Sequence, residues 1–369
     1  RDLHSFPTRR SSDLSAYFKL NELGTNVKTE VTAGITTFLS MAYILAVNPK
    51  ILSAAGMAPA GVFTATAISA AFATLLMAFL ANYPVALASG MGLNAYFAFS
   101  VCTKLKESDP YTIALTAVLV EGVIFILLTF CKFREALVND VPKNLKLGIT
   151  AGIGLFIAIV GLKSAGIVIS NPATTVGLGM LNTPQVLLAF VGLLAIGILY
   201  HYKVTGYILW GILLTWGLGM IAQMTGWYKV DVTKEMFSLF PDFSHGLSIA
   251  KPHMFAFNFN FVTEHFLYFL TIVFAFLFVD LFDTAGTLIG IANKGNLTDE
   301  NGNLPRAGRA LLSDALGTVF GACVGTSTVT SYVESSAGVA VGGRSGLTAV
   351  VSGPPTRSEE RRVGKECRS

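Results

Sequence analysis

Three acidic residues stand inside apolar segments of the chain, where a charge is costly. Asp280 and Asp283 lie in the segment 266–292, and Glu334 lies in the segment 328–351. An acidic side chain at the centre of a membrane helix costs roughly 2.5–3.5 kcal/mol on insertion scales, so such residues usually mark a functional pathway. A carboxylate that gains and loses a proton as access alternates can couple a cargo to a proton gradient. We predict that all three are proton-coupling candidates; a structural hydrogen-bond role is the alternative.

The spacing of these residues places two of them on one side of a helix. Asp280 and Asp283 are three residues apart, so they occupy neighbouring parts of one face, which Thr284 and Thr287 extend. Such a polar face is expected to point into the helix bundle rather than towards lipid. Glu121, in another apolar segment, is interpreted as a packing or supporting contact.

Two short segments share an unusual richness in Gly and Ser. The segment 84–101 contains ASGMGLNAYFAF, and the segment 328–351 overlaps GTSTVTSYVESSAGVAVGGRSG. Each places one polar side chain near its middle, Asn94 in the first and Glu334 in the second. Paired broken segments of this kind are typical of inverted-repeat transporters, which bind their substrate at the membrane midplane. Close packing of small residues between helices is the alternative interpretation.

The composition is that of a polytopic α-helical membrane protein. Hydrophobic residues make up 53% of the chain and charged residues 13%, against about 25% charged residues in soluble domains. A membrane-spanning helix needs about 20 mostly apolar residues. About ten segments qualify as candidate spans: 31–52, 61–80, 84–101, 112–130, 145–162, 184–200, 206–224, 266–292, 310–325 and 328–351.

Lysine and arginine predict the orientation of these spans, because cytoplasmic loops carry an excess of both. A cytoplasmic N-terminus places the following residues inside the cell: Lys132, Arg134, Lys143, Lys146, Lys203, Lys294, Arg306 and Arg309. We therefore expect a multi-pass protein of the cell membrane with its N-terminus in the cytoplasm. The sequence shows no nucleophile–base pair, phosphate-binding loop, metal-ligand spacing or basic aromatic stripe. We predict no enzyme activity, cofactor, metal or nucleic-acid partner.

The two ends of the chain differ from the rest in composition. Residues 1–14 read RDLHSFPTRRSSDL, and residues 357–369 read RSEERRVGKECRS. One DNA string encodes the second tail, and its reverse complement encodes nearly all of the first. That string resembles a sequencing adapter, so we interpret both tails as non-native and expect the native part to be a truncated fragment.

The motifs of the native part resemble the nucleobase–cation symporter-2 family, in particular its AzgA-like branch of adenine, guanine and hypoxanthine permeases. The resemblance rests on long runs: FKLNELGTNVKTEVTAGITTFLSMAYILAVNP, GMGLNAYF, FVDLFDTAGTLIGIANKG and GTSTVTSYVESSAGVAVGGRSGLTA. It implies fourteen spans in two inverted seven-helix repeats, of which this chain holds about ten. It also implies a core domain over 15–135 and 266–352, a gate domain over 145–225, and an extracytoplasmic loop over 226–265.

The same resemblance implies which residues bind the substrate. Carried over by position, Asn94, Asp283 and Glu334 fall at the substrate, with Ser335 and Ser336 beside them. A carboxylate can accept the ring N–H and amino donors along one edge of a purine, and charge-assisted bonds are strong. Supporting groups are expected from Thr36, Thr37, Ser40, Thr284 and Thr287.

The favoured hypothesis is therefore a secondary transporter that imports hypoxanthine, guanine or adenine with protons, sodium being the less favoured ion. A homodimer is left open. Two alternatives remain: a transporter of the same fold with another cargo, such as sulfate or bicarbonate, and a channel. An anion site would show positive potential between half-helix N-termini and no carboxylate facing the cargo.

Overall fold

The structure is a computed structural model. It describes residues 14–105, 109–131, 165–171, 174–202, 207–228, 251–299 and 304–353, together with 144, 148, 151–152, 155, 158–159, 161–163 and 204. The chain divides into two compact units, one of Arg1–Lys143 and Ile249–Ser369 and the other of Asn144–Ser248.

The first unit contains most of the described helices. They are α1 (Val27–Met41), α2 (Ile44–Ser53), α3 (Pro59–Leu76), α4 (Met91–Ala95), α5 (Pro110–Phe130), α8 (Asn260–Glu264), α9 (Phe266–Gly295), α10 (Ala307–Val324), α11 (Ser335–Val341) and α12 (Gly346–Ser352). π-helical turns extend α3 over Met77–Ala81 and α4 over Tyr96–Cys102. Two strands of this unit, β1 (Leu87–Ser89) and β4 (Val329–Ser331), pair with each other.

The second unit holds a β-hairpin and two helices. Strands β2 (Val168–Asn171) and β3 (Thr175–Leu178) pair antiparallel, and helices α6 (Pro184–His201) and α7 (Tyr207–Met224) pack against each other. The predicted span 145–162 lies mostly outside the described residues.

Six of the described helical segments are long and apolar enough to cross a bilayer: Val27–Ser53, Pro59–Ala81, Pro110–Phe130, Pro184–His201, Phe266–Gly295 and Ala307–Val324. Each overlaps a span predicted from the sequence. Helix α9 is the longest of the described helices, with 30 residues, or about 45 Å at 1.5 Å per residue. The loop predicted over 226–265 contains the short helix α8 in its described part, just ahead of α9.

The two glycine-rich segments are broken in the way the sequence predicts. In one, strand β1 is followed by Gly90 and then α4; in the other, β4 is followed by a short turn and then α11. The strands run antiparallel, with Leu87 opposite Ser331 and Ser89 opposite Val329. This pairing satisfies backbone groups that would otherwise be unpaired inside the membrane. The expectation of an all-α fold is therefore corrected at these short strands and at the β2–β3 hairpin.

The first span is also interrupted, which the sequence analysis did not predict. Helix α1 ends at Met41 and α2 begins at Ile44. At the break, the N–H groups of Leu45 and Ala46 donate to carbonyls three residues earlier, as in a 3₁₀ turn. The break turns the side chain of Tyr43 towards the start of α11, where it contacts Glu334.

Candidate functional site

The candidate site lies within the first unit, where the β1–β4 pair, α9 and the break in the first span meet. Helix α10 packs against β4 and helix α11 against α9, so the acidic residues of three segments converge here. Glu334 immediately precedes α11, and its backbone is already helical. Asp283 lies on α9, and it is within electrostatic reach of Glu334 and of Asp314 on α10.

Glu334 is partly buried and held by a tyrosine. The hydroxyl of Tyr43 donates to Oε1 of Glu334 at 2.5 Å. No other side chain in the described part of the chain donates to this carboxylate, and no Lys or Arg there forms a salt bridge with Glu334 or Asp283. An acidic pair without a basic partner can accept hydrogen-bond donors from a cargo.

Asp283 faces the junction between β1 and α4. A Cβ atom placed on Gly90 would lie 3.7 Å from Oδ2 of Asp283 and 2.6 Å from the Thr330 side chain. Glycine therefore allows the third-span backbone to pass this close to the acidic cluster. Of the two carboxylates carried over from the resemblance, Asp283 thus lies beside this backbone, and Glu334 is within its electrostatic reach.

Asp280 and Thr284 are fully buried and form a second polar group with α10. The Thr284 hydroxyl lies 3.0 Å from Oδ2 of Asp314, 3.3 Å from Oδ1 of Asp280 and 2.9 Å from the hydroxyl of Thr330. Asp314 also accepts from the backbone N–H of Ser331 at 3.1 Å. A hydroxyl carries one proton, so Thr284 donates to only one of these oxygens at a time.

Asn94 connects the two broken segments. Its Oδ1 accepts a hydrogen bond from the Ser327 hydroxyl, and its Nδ2 lies 3.5 Å from the carbonyl of Ser89. The side chain is fully buried. This geometry favours a role for Asn94 in joining the two segments over direct contact with a substrate.

The two serines after Glu334 differ in their surroundings. Ser335 is buried, and its hydroxyl accepts from the backbone N–H of Ala86 at 3.0 Å, which ties α11 to the chain entering β1. Ser336 is partly exposed. Ser336 is therefore the better placed of the two for contact with a cargo.

The predicted supporting threonines and serine of the first span are all buried. Thr36 and Ser40 donate to carbonyls one turn earlier in α1, each at 2.8 Å. Thr37 lies against Gly338 of α11. On α9, Thr287 is buried one turn beyond Asp283. These groups line the helix contacts around the acidic cluster rather than reaching the Glu334 carboxylate.

Three buried or partly buried polar residues were missed by the sequence analysis. Asp314 lies within the predicted span 310–325, so it carries the same sequence signal, a costly charge inside an apolar segment, as the other acidic residues. Glu30 is fully buried at the start of α1, but it precedes the predicted span 31–52. Tyr43 stands in an apolar run, and its hydroxyl gives no sequence signal of its partner.

Glu121 is also buried, and its Oε2 accepts from the Thr328 hydroxyl at 2.9 Å. This contact agrees with the supporting role predicted for it. Among the described residues, no group of three or more His, Cys, Asp or Glu side chains is arranged to hold a metal ion.

Comparison with known proteins identifies the family. The model of the Permease family (Xan_ur_permease) matches residues 28–353, nearly all of the chain that the structure describes. The chain belongs to this permease family. It is 48% identical over 337 residues to a putative permease of Methanocaldococcus jannaschii, covering 91% of this chain and 73% of that protein.

Two relatives of this permease carry nucleobases in their names. It is 46% identical over 333 residues to a guanine/hypoxanthine permease of Bacillus subtilis, covering 90% of this chain and 74% of the relative. It is 41% identical over 358 residues to an adenine permease of Escherichia coli, covering 95% of this chain and 75% of that relative.

The fold resembles that of the transmembrane domain of a cyanobacterium bicarbonate transporter, with a TM-score of 0.57 and 14% identity over 89% of this chain and 80% of that domain. The permease is therefore a multi-pass membrane protein of this fold class. At such low identity, the likeness concerns the fold alone.

Proposed function

We propose that this permease imports purine nucleobases, namely hypoxanthine, guanine or adenine, across the cell membrane together with protons. The observation that carries the proposal is the position of Asp283 within electrostatic reach of Glu334, which immediately precedes α11 in the broken tenth span. The names of the bacterial relatives support the same class of cargo.

The chemistry of the two carboxylates suits a neutral base that is rich in donors. Purines present ring N–H and amino groups along their edges, and ionised carboxylates accept such donors in charge-assisted bonds. We assign Glu334 to one edge of the base. Asp283 would bind the opposite edge, relay a proton, or do both.

The crowding of acidic groups supports the proposed proton coupling. Asp283 lies within electrostatic reach of Glu334 and Asp314, and Asp280 shares the Thr284 hydroxyl with Asp314. Neighbouring like charges favour a state in which one carboxyl group holds a proton. Loss of that proton on one side of the membrane would couple the cargo to the gradient; sodium is the alternative ion.

The remaining architecture is proposed from the family resemblance. The first unit would be most of a core domain and the second part of a gate domain, in a protein of two inverted seven-helix repeats with a cytoplasmic N-terminus and an open choice between monomer and homodimer. A sulfate or bicarbonate cargo is disfavoured, because Asp283 and Glu334 would repel an anion.

Radiolabelled hypoxanthine uptake tests this proposal. The gene, in its complete reading frame, is expressed in a bacterial host without purine permeases, as wild type, Glu334→Gln and Glu22→Gln. Glu22 is an exposed carboxylate paired with Lys19, so Glu22→Gln is the matched control. We expect wild type and the Glu22→Gln control to take up hypoxanthine, and a protonophore to abolish that uptake. Glu334→Gln should lower the rate of uptake at least about tenfold.

Two results would count against the proposal. If hypoxanthine, guanine and adenine all fail to accumulate although the protein reaches the membrane, the cargo is wrong. If wild-type uptake persists with the protonophore and instead requires sodium, the coupling ion is wrong.

A further inference from the structure

The hydroxyl of Tyr43 takes up one acceptor site on one of the two oxygens of the central carboxylate. Its hydroxyl donates to Oε1 of Glu334 at 2.5 Å, across 291 positions of sequence. Because no other side chain of the described chain donates to Glu334, Oε2 is left as the oxygen without a side-chain donor. Without the cargo, the two oxygens of the carboxylate thus differ in their side-chain donors.

The backbone fixes where Tyr43 stands. It lies between the end of α1 at Met41 and the start of α2 at Ile44. The N–H groups of Ala46 and Val47 both donate to its carbonyl. Tyr43 also lies within electrostatic reach of Tyr332, whose hydroxyl donates to the Ser89 carbonyl at 2.8 Å. The tyrosine is therefore set on an ordered turn, not on a mobile loop.

The asymmetry matters because purines differ in how many donors they present side by side. Guanine carries a ring N–H next to an amino group, and the two can pair with both oxygens of a carboxylate. Hypoxanthine carries the ring N–H without the neighbouring amino group. A carboxylate whose Oε1 already accepts a hydroxyl proton is a weaker partner for the second donor of guanine.

We propose that Tyr43 is a specificity-determining residue, whose bond to Oε1 of Glu334 favours bases with one donor on the bound edge over guanine. This inference rests on the proposed purine cargo. The hydroxyl also orients Glu334, so its loss lowers the uptake of every base to some extent. The ratio between guanine and hypoxanthine isolates the effect on specificity from that common loss.

The test compares Vmax/KM for guanine and hypoxanthine in wild type, Tyr43→Phe and Tyr96→Phe. Tyr96 is the matched control, because its ring packs edge-to-face on Phe276 at 5.0 Å between centroids and its hydroxyl does not contact Glu334. We expect Tyr43→Phe to raise the guanine-to-hypoxanthine ratio by roughly five- to tenfold, the value of about one hydrogen bond. Tyr96→Phe leaves the ratio unchanged.

Equilibrium binding of both bases to the purified proteins gives the same ratio for a variant that binds but no longer cycles. An unchanged ratio in Tyr43→Phe, or one that moves towards hypoxanthine, overturns the inference while wild-type uptake upholds the purine cargo. A wild type that transports neither base instead overturns the proposed function on which the inference rests.

Discussion

At the scale of single residues, the acidic cluster divides into two layers. Glu334 and Asp283 are partly buried and face the break of the tenth span. Asp280 and Asp314 are fully buried behind them and meet at the Thr284 hydroxyl. The outer pair suits contact with a cargo, and the inner pair ties α9 to α10 through the Thr284 hydroxyl.

Asp314 is expected to hold the broken tenth span in place. It accepts from the Thr284 hydroxyl and from both the backbone and the hydroxyl of Ser331. Asp314→Asn removes the charge and replaces one acceptor oxygen by a donor, so the bonds that remain are weaker than those to a carboxylate. We expect a loss of stability of about 2 kcal/mol, measured as a lower thermal unfolding midpoint of the purified protein.

The control for this change is Asp109→Asn, because Asp109 is exposed. The control should unfold within a degree or so of wild type. An Asp314→Asn protein as stable as the control would contradict this structural role for Asp314.

At the scale of elements, the first span contacts the tenth at two points. Tyr43 contacts the residue before α11, and Glu30, at the other end of α1, contacts the residues that begin α12. Oε2 of Glu30 accepts from the hydroxyls of Ser345 and Thr348 at 2.7 and 2.6 Å, and Oε1 accepts from the backbone of Arg344 at 2.8 Å. The backbone N–H of Thr348 also donates to Oε2 at 3.2 Å, which satisfies one of the free N–H groups in the first turn of α12.

Glu30→Gln should therefore loosen the contact between the first span and α12. The amide nitrogen cannot accept the donors that now converge on Oε2, and bonds to a charged acceptor are worth about 1.5–3 kcal/mol each. We expect a fall in stability of about 3 kcal/mol, read from thermal unfolding in detergent, against Glu22→Gln as the exposed control. Equal unfolding midpoints for the two variants would contradict a stabilising contact between Glu30 and α12.

Helix α11 also approaches α1 too closely for a side chain on Gly338. A Cβ there would collide with the Thr37 hydroxyl and lie 2.6 Å from the Ala33 carbonyl oxygen. Gly338→Ala should push the helices apart and lower the yield of monodisperse protein in size-exclusion chromatography. Gly217→Ala, at a helix position with open space, should behave as wild type; equal yields for both would argue against tight α1–α11 packing.

The sequence predicts the elements better than their partners. The excess of Gly and Ser indicates that the segments 84–101 and 328–351 are not simple helices. The charges of Asp283 and Glu334, inside apolar segments, single these two residues out as candidates. The pairing of β1 with β4 joins residues far apart in sequence through three-residue strands, too short for an alternating pattern to show. The partner of Tyr43 is equally distant, so no local signal reveals it.

At the scale of the whole molecule, the candidate site residues belong to one of the two compact units. The first unit combines residues from both ends of the chain, and the second is the stretch between them. All the candidate site residues fall in the first unit. The proposed cargo site therefore lies within one unit.

Orientation in the membrane is the last prediction, and Cys131 reports on it. Cys131 is exposed and follows α5 directly, beside a cluster of basic residues that favours the cytoplasm. A membrane-impermeant maleimide should label it in inside-out vesicles but not in whole cells. Cys131→Ser identifies its signal against the other cysteines. Labelling of Cys131 in intact cells would place the end of α5 outside and reverse the topology, because the number of spans before it fixes the side of the N-terminus.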